Sequence, residues 1–240
     1  MRLAALALVA LALTACESNQ ERSAKLAKAA KAVEREAANR RALAQRALTI
    51  TRPSAKVKVT SAAIVRGAEG AAAVVSLRNI SSKPLRDVPI QIVVRNAAGA
   101  SVYTNDVAGL SPTLASIALI PAHAEQTWID DQVQATGTPA SVSVKVGEGT
   151  PTAAAVPQLS VQGTHLSEAQ AEGSIVNHSV LAQEEVVIDA VARRAGRIVA
   201  AGRAVLASAP AGASTPFQIF FVGDPAGAQL EVDAPATTSG

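Results

Sequence analysis

Cysteine, aromatic residues and long hydrophobic runs are all scarce in this sequence of 240 residues. Cys16 is the only cysteine, so no disulfide forms within the chain, and its domains must be stabilised by apolar burial and backbone hydrogen bonds. Aromatic residues make up 2% of the sequence, so we expect cores of small side chains, each of which buries less area than Phe. The apolar residues 3–13 are too few for a membrane-spanning helix, which needs about 20 residues.

The N-terminal segment has the pattern of an export signal. Arg2 precedes the apolar residues 3–13, and this run closes as Leu13-Thr14-Ala15-Cys16. A positive start followed by a short apolar region is typical of a secretion signal, and the closing residues resemble the lipobox of bacterial lipoproteins. The resemblance implies removal of residues 1–15 as a signal peptide and lipidation of Cys16. The alternative is an ordinary signal peptide that happens to precede a cysteine.

Lipidation of Cys16 predicts an exported protein anchored to a bacterial membrane. Each buried CH₂ group contributes about 0.8 kcal/mol, so the several acyl chains that the resemblance implies would hold the protein durably. Glu17 follows the cysteine, where Asp is the usual signal for retention in the inner membrane. In a cell with two membranes, this difference favours the outer membrane, with the protein facing the periplasm.

Positive charge is concentrated between residues 17 and 48. This segment has eight basic and four acidic residues, whereas residues 49–240 have thirteen and fifteen. Residues 21–48 contain no Gly or Pro and consist almost entirely of strong helix formers, which predicts a helical tether. The tether is interpreted as a solvated or membrane-proximal spacer, a weakly self-associating helix, or a contact with wall polymers. Anionic headgroups are an expected partner, and no nucleic-acid-binding motif is present.

After the tether, the periodicity becomes that of β-strands. Lys56-Val57-Lys58-Val59-Thr60 alternates strictly between polar and apolar residues, as a half-buried strand does. Further β-rich runs, bounded by Asn, Gly and Pro turns, lie at 74–78, 89–95, 101–107, 126–133 and 140–146. No amphipathic helix of useful length separates them, so a parallel β-α-β fold with a nucleotide crevice is not expected. The pattern predicts an all-β sandwich.

The strand pattern occurs twice, which predicts two tandem modules. Asn79-Ile80-Ser81 aligns with Asn177-His178-Ser179, and the strand that starts at Val88 aligns with one that starts at Glu185. The first copy has about nine extra residues near 103–120. The predicted segments are a signal peptide 1–15, a lipidated tether 16–54, module 1 at 55–149, a linker 150–157, module 2 at 158–235 and a tail 236–240.

Both modules also resemble a known family over most of their length, and the residues that show it are clearest in module 2. Gly173-Ser174-Ile175-Val176-Asn177, the strand 186–192 and Pro210-Ala211-Gly212 leading to Phe217 resemble the immunoglobulin-like modules of bacterial exported proteins of the FxLYD type. At the position of the family's aromatic-x-Leu-Tyr-Asp motif, this chain has Asp189-Ala190-Val191-Ala192-Arg193. The resemblance implies an immunoglobulin-like sandwich that acts as an extracytoplasmic interaction or spacer module.

Residues that could carry chemistry are sparse. The acidic pair Asp130-Asp131, with Glu125 nearby, lacks the Gly-centred loop of a calcium site and is interpreted as a solvated strand edge. No Gly-x-Ser-x-Gly motif or phosphate-binding loop is present. The histidines lie apart, without the spacing of zinc ligands: His123, His165 and His178. We therefore predict no enzymatic activity, no catalytic residues, no metal or other cofactor and no small-molecule substrate.

The aromatic residues and the two Asn-x-Ser sequences are the remaining candidates for function. Asn79 and Asn177 match the glycosylation sequon, but their repeated position between strands predicts a structural turn. Alternation within residues 217–221 places Phe220 on the opposite face from the other two Phe residues. Phe220, Trp128 and Tyr103 are therefore candidate interface residues.

The sequence predicts a lipid-anchored structural or protein-interaction module whose partner is another envelope protein. A free edge strand would allow that partner to bind by β-augmentation. One alternative is a module that binds a cell-surface polymer or carbohydrate, which clustering of Tyr103 and Trp128 on one surface would support. The other is an enzyme or assembly factor whose catalytic residues are not recognisable in the sequence.

Overall fold

The computed structural model describes residues 28, 31, 35, 48–68, 70–153 and 156–237 of the chain. The protein is 59% strand and 4% helix, and its sheets are antiparallel. The predicted all-β sandwich is therefore confirmed. The signal peptide and Cys16 lie outside the described residues, as does most of the tether.

Three positions of the tether are described. Lys28, Lys31 and Arg35 are helical and exposed, and Leu48 is no longer helical. Within the described part of the chain, no helix has the length and apolar character needed to cross a membrane. The rest of the predicted 21–48 helix stays a prediction.

Module 1 consists of two antiparallel sheets. One sheet has the strand order β1-β2-β6, and the other is built around β3, which pairs with β4 and β5 along one edge and with β7 and β8 along the other. The elements are β1 Val57–Arg66, β2 Ala71–Asn79, β3 Leu85–Arg95, β4 Ser101–Thr104, α1 Pro112–Ala115, β5 Ser116–Ile120, β6 Glu125–Val133, β7 Ser141–Val146 and β8 Thr150–Pro151. The 150–157 segment predicted as a linker thus begins with two residues that pair with β3.

Module 2 repeats this arrangement. One sheet has the order β13-β10-β9, and the other has the order β14-β12-β11-β15. The elements are β9 Leu159–Ser167, β10 Gln170–Asn177, β11 Gln183–Arg194, β12 Arg197–Ala209, β13 Ser214–Phe220, β14 Val222–Gly223 and β15 Gln229–Asp233. In each module the second strand pairs on one side with the first strand and on the other with the strand that follows the Pro-containing turn, and the long third strand is central to the second sheet.

The repeat extends to individual hydrogen bonds around Asn79 and Asn177. The backbone N–H of Asn79 donates to Ala124 O at 3.0 Å, and that of Asn177 donates to Ala213 O at 3.0 Å. Both Asn side chains are fully buried and accept a hydrogen bond from the backbone N–H two residues later at 2.9 Å. The sequence Asn-x-Ser therefore forms a buried turn at both positions, as predicted.

The two central strands align one residue differently from the sequence-based alignment. Asp87 in β3 and Glu185 in β11 both have a φ of 51°, and the residues after them, Val88 and Val186, are both fully buried. Val88 is thus equivalent to Val186, and the predicted match of Val88 with Glu185 is wrong by one residue. The left-handed residue shifts the polar–apolar alternation by one position, which a pattern comparison does not detect.

Each module has its own apolar core. Module 1 buries Leu77, Leu85, Ile90, Ile92 and Trp128 among smaller residues. Module 2 has a core of smaller side chains in which Phe217 is the one aromatic residue with full burial, and it uses Ala where module 1 uses Ile or Val. Burial of Ile or Val removes more apolar area from water than burial of Ala, so module 1 has the larger apolar contribution to stability.

The extra residues of module 1 interrupt the strand that follows β3, which corresponds to β12 of module 2. Module 2 has one 13-residue strand there, β12, whereas module 1 has β4, α1 and β5. β4 ends at Thr104, so the predicted extension of this strand to Val107 is wrong, and Val107 is exposed. We call residues 105–115 the insertion.

Asn105 holds the insertion against β3. Its Nδ2 donates to Ile90 O at 3.0 Å and to Leu114 O at 2.7 Å, and its Oδ1 accepts from Ile92 N–H at 2.7 Å. The fully buried side chain therefore satisfies the backbone groups of β3 between the places where β4 and β5 pair with it.

Candidate functional site

The described residues place the sequence-predicted site residues in three different environments. Phe220 is 67% exposed on β13, between the buried Ile219 and the half-buried Phe221, as alternation predicted. Trp128 is only 3% exposed and packs in the core of module 1. Tyr103 is half-buried and its hydroxyl donates to Asp130 Oδ2 at 2.7 Å. Trp128 and Tyr103 therefore form no exposed aromatic platform, whereas Phe220 is available to a partner.

The two modules pack directly against each other. The outer face of β1, β2 and β6 meets the outer face of β11 and β12, with Val222 of β14 beside them. Gly223 has a φ of 96°, and a Cβ at this position would collide with the Val199 carbonyl oxygen and with Val65. The apolar part of the interface consists of Val65, Ala72, Val74, Ile129, Val191 and Ala201.

The polar part of the interface contains three acidic side chains. Asp130 and Asp131 lie on β6 of module 1, and Asp189 lies on β11 of module 2. Asp130 and Asp189 are buried and Asp131 is half-buried. The interpretation of Asp130-Asp131 as a solvated strand edge is therefore wrong, because Asp130 is buried against Tyr103 of module 1 and Arg203 of module 2 contacts Asp131.

One arginine faces these carboxylates. The backbone N–H of Arg203 on β12 donates to Asp131 Oδ2 at 3.2 Å, and its Nη2 donates to Thr113 Oγ1 in the insertion at 2.7 Å. Its positive charge acts on all three carboxylates, but its Nε has no hydrogen-bond partner within the described residues. Carboxylates thus outnumber the cations at this interface.

Burial disfavours the charged form of each of these acids. Burial is the largest cause that raises the pKa of Asp130, Asp131 and Asp189, and Arg203 lowers all three in part. The pKa of Asp189 is raised the most clearly, well above its ordinary value, and the nearby Asp233 and Asp131 raise it further. Burial and the neighbouring Asp130 also raise the pKa of Tyr103.

A small cavity lies beside this acidic group. Its volume is about 30 Å³, and residues of α1, β5, β6, β11 and the C-terminal segment line it. Trp128 is in its wall, and the indole N–H donates to Thr113 O at 3.2 Å. Asp189 and Gln126 also line the cavity, and each has one buried side-chain oxygen without a hydrogen-bond partner in the described part of the chain. No pattern in the sequence signals this cavity, since its residues come from both modules.

A second, open depression of about 580 Å³ crosses β9, β10 and β13. His165 and Glu172 are opposite each other on the adjacent strands β9 and β10, and His165 Nε2 lies 3.5 Å from Glu172 Oε2 in the lining. Phe217, the aromatic residue in the lining, is buried. Carbohydrate sites need exposed aromatic faces for stacking, and this depression does not present one.

The histidines are dispersed in the structure, and the described residues contain no group of three or more His, Cys, Asp or Glu side chains that could hold a metal ion. His178 contacts Ser160 at 2.8 Å, and His165 lies at the open depression. His123 occupies a turn with a φ of 58°, where module 2 has Gly212 with a φ of 67°. Local structure therefore accounts for His178, through its contact with Ser160, and for His123, through its position in the turn.

β9 is an edge strand of module 2. It pairs with β10 along one edge, and no other strand of the described chain extends its ladder. Its central residues from Gln162 to His165 include Gly163 with a φ of 63° and are mostly exposed. β-Augmentation needs a free edge of this kind, but the bulge at Gly163 interrupts pairing at its centre.

No protein-family model matches this chain, and no curated protein matches it. Among solved structures, the chain is similar to a β-glucuronidase from glycoside hydrolase family 2, with 12% sequence identity and a TM-score of 0.20. The match covers 67% of this chain and 21% of the β-glucuronidase, so this chain spans about a fifth of that protein. A TM-score this low carries no argument about fold or function.

Proposed function

We propose that this protein is a membrane-anchored lipoprotein of the bacterial envelope whose two sandwich modules act together as a structural or protein-interaction unit. The anchor is Cys16, supported by Leu13-Thr14-Ala15-Cys16 after an apolar run of signal-peptide length. The tether joins this anchor to the modules along the chain. The unit faces the periplasm when the cell has an outer membrane.

The packed interface between the modules supports a structural role. Apolar residues of both modules form one buried cluster, and Arg203 of module 2 donates to Thr113 of module 1 at 2.7 Å. An interface that buries apolar side chains and connects charged groups restricts the motion of one module relative to the other. Such a unit presents its surfaces in a defined arrangement.

Phe220 is the observation on which the interaction role depends. Its side chain is 67% exposed at the end of β13, although both neighbouring strand positions on the opposite face are covered. A partner that covers a Phe side chain gains about 2 kcal/mol from apolar burial. The free edge of β9 lies at the opposite side of the same sheet, beyond β10, and is a separate place for backbone pairing. We expect another envelope protein to bind over Phe220.

Site-specific photocrosslinking in the native cell tests this function. The crosslinking amino acid is placed at position 220, with position 145 on the exposed side of β7 as the matched control. We expect one envelope protein to be captured from position 220 and not from position 145, and the Cys16→Ser variant to abolish its capture. Capture of the same proteins from both positions would contradict the interaction role, and capture that survives Cys16→Ser would contradict the need for an anchor.

A further inference from the structure

The cavity at the module interface has more acceptors than available donors. Asp189 is 3% exposed and Gln126 is 5% exposed, and Asp189 Oδ1 and Gln126 Oε1 lack hydrogen-bond partners within the described residues. The Asp189 carboxylate does accept a hydrogen bond from Ile129 N–H. Burying an acceptor without a partner costs about 1–3 kcal/mol, and more when the group is charged.

The donors in the cavity wall are directed to other acceptors. The Ser116 hydroxyl donates to Pro112 O at 3.1 Å, and the Thr237 hydroxyl donates to Gln183 at 2.8 Å. The Trp128 indole N–H donates to Thr113 O. Glu185 adds a further acidic side chain to the wall. Within the described residues, the Asp189 and Gln126 oxygens therefore lack a donor or a cation.

Arg203 does not supply positive charge to the cavity in full. Its Nη2 donates to Thr113 in the insertion, and its charge is shared among Asp130, Asp131 and Asp189. Three carboxylates at one interface with a single guanidinium leave a net negative charge when all are ionised. A buried charge of this kind requires a counter-charge close to it.

We infer that the cavity binds one small monovalent cation, of the class of sodium, potassium or ammonium, between Asp189 of module 2 and Gln126 of module 1. The volume of about 30 Å³ accommodates one such ion with a water molecule. Calcium needs six to eight oxygen ligands, with several carboxylates among them, and the described residues gather no such group.

A cation in this position would join the two modules. Asp189 lies on β11 and Gln126 on β6, so the site exists only when the modules are packed together. Binding to the packed state alone stabilises that state. The ionic composition around the protein would therefore set the strength of the module interface, which goes beyond the proposed function and does not depend on the anchor.

Trp128 provides a direct test, because it is the only tryptophan and lines the cavity. The full mature chain in neutral detergent at pH 8 is titrated with sodium chloride or ammonium chloride, which replaces tetramethylammonium chloride at constant ionic strength. We expect a saturable change in Trp128 fluorescence and a higher unfolding temperature. Asp189→Asn should weaken the apparent affinity at least about tenfold, and Gln126→Leu should weaken it less.

Glu148→Gln is the matched control, since it removes an exposed carboxylate outside the cavity and should leave the titration unchanged. Circular dichroism establishes that each variant is folded. Equal responses to all the chlorides would overturn the site, because they would show an effect of ionic strength alone. A response that persists in Asp189→Asn would place the cation elsewhere. The site would also be overturned if Trp128 fluorescence did not respond to any of the ions but changed with pH in the wild type and not in Asp189→Asn. That result would show that a proton, and not a cation, neutralises Asp189.

Discussion

The outward face of the central strand is covered differently in the two modules. In module 1 the Gln91 side chain on β3 donates to Asp106 of the insertion at 2.8 Å. The equivalent residue of module 2 is Asp189, which lies three positions after Val186 as Gln91 lies three positions after Val88, and module 1 covers it. Module 1 therefore protects its central strand with its own residues, whereas module 2 depends on its neighbour.

This difference teaches how a repeated sandwich becomes an asymmetric pair. The insertion makes contacts with both modules. Asn105 forms hydrogen bonds with backbone groups of β3 within module 1, and Thr113 accepts a hydrogen bond from Arg203 of module 2. Module 2 keeps an uninterrupted β12 that faces β1, β2 and β6. The fold is the same in both copies, but the surface that each copy needs to bury is different.

The largest expected effect comes from the core residue that also lines the interface cavity. Trp128→Ala should lower the free energy of unfolding by about 4 kcal/mol, because it removes a large buried side chain and leaves a cavity. Phe217→Ala, at the equivalent strand of module 2, should cost about 3 kcal/mol. Urea denaturation followed by circular dichroism measures both. Equal costs would contradict the unequal cores of the two modules.

The two Asn turns allow the next comparison. Asn79 Nδ2 donates to the carbonyls of Lys83, Ile120 and Pro121, whereas Asn177 Nδ2 donates to those of Leu181 and Ala209. Asn79→Ala and Asn177→Ala should lower the free energy of unfolding by about 3 and about 2 kcal/mol, respectively, since each leaves buried carbonyls without a donor. A larger loss for Asn177→Ala, measured in the same urea titration, would reverse the ranking.

Arg203 should stabilise the interface more at high pH than at low pH. Arg203→Met removes the guanidinium whose charge acts on the three acids, and we expect a loss of about 2 kcal/mol at pH 8. As the pH falls, the raised pKa values favour protonation of these acids in the folded state, so the loss should be smaller at pH 4 than at pH 8. Denaturation at both pH values tests this, with Arg197→Met on the exposed start of β12 as the control. A loss that is independent of pH would contradict the electrostatic role.

Asp189 should make the wild-type protein less stable as the pH rises. Its folded-state pKa is raised above that of the unfolded chain, so the folded state binds the proton more tightly. Its contribution to stability is then complete below about pH 4 and is lost as the pH rises through the folded-state pKa. Asp189→Asn should flatten this part of the profile of unfolding temperature against pH, measured without added sodium or ammonium. An unchanged profile would show that other groups dominate.

Phe220 should have the smallest effect on stability. Phe220→Ala should change the free energy of unfolding by less than about 0.5 kcal/mol, because the side chain is exposed. The same substitution should reduce capture of the partner when the crosslinker is placed at the neighbouring exposed position, Gln218. A large loss of stability would mean that Phe220 has a structural role within module 2.

The strands and turns were predictable because their signals are local. Alternation of Val with polar residues indicated β1, β3, β6 and β7, and the repeated Asn-x-Ser indicated two equivalent turns. The helix α1 and the strand β5 were missed, since four and five residues are too few for a periodic pattern. The left-handed Asp87 and Glu185 were missed because neither acidic residue signals a positive φ.

The amino-acid sequence by itself determined the class of fold, the duplication, the insertion in module 1 and the exposure of Phe220, because these follow from side-chain alternation and turn chemistry along the chain. It also supplies the lipobox resemblance at Cys16. Only the tertiary structure decided that Asp130 and Asp189 are buried, and Asp131 half-buried, near Arg203. The reason is that burial of an outward-facing side chain depends on what packs over it, and here the covering surface belongs to the other module.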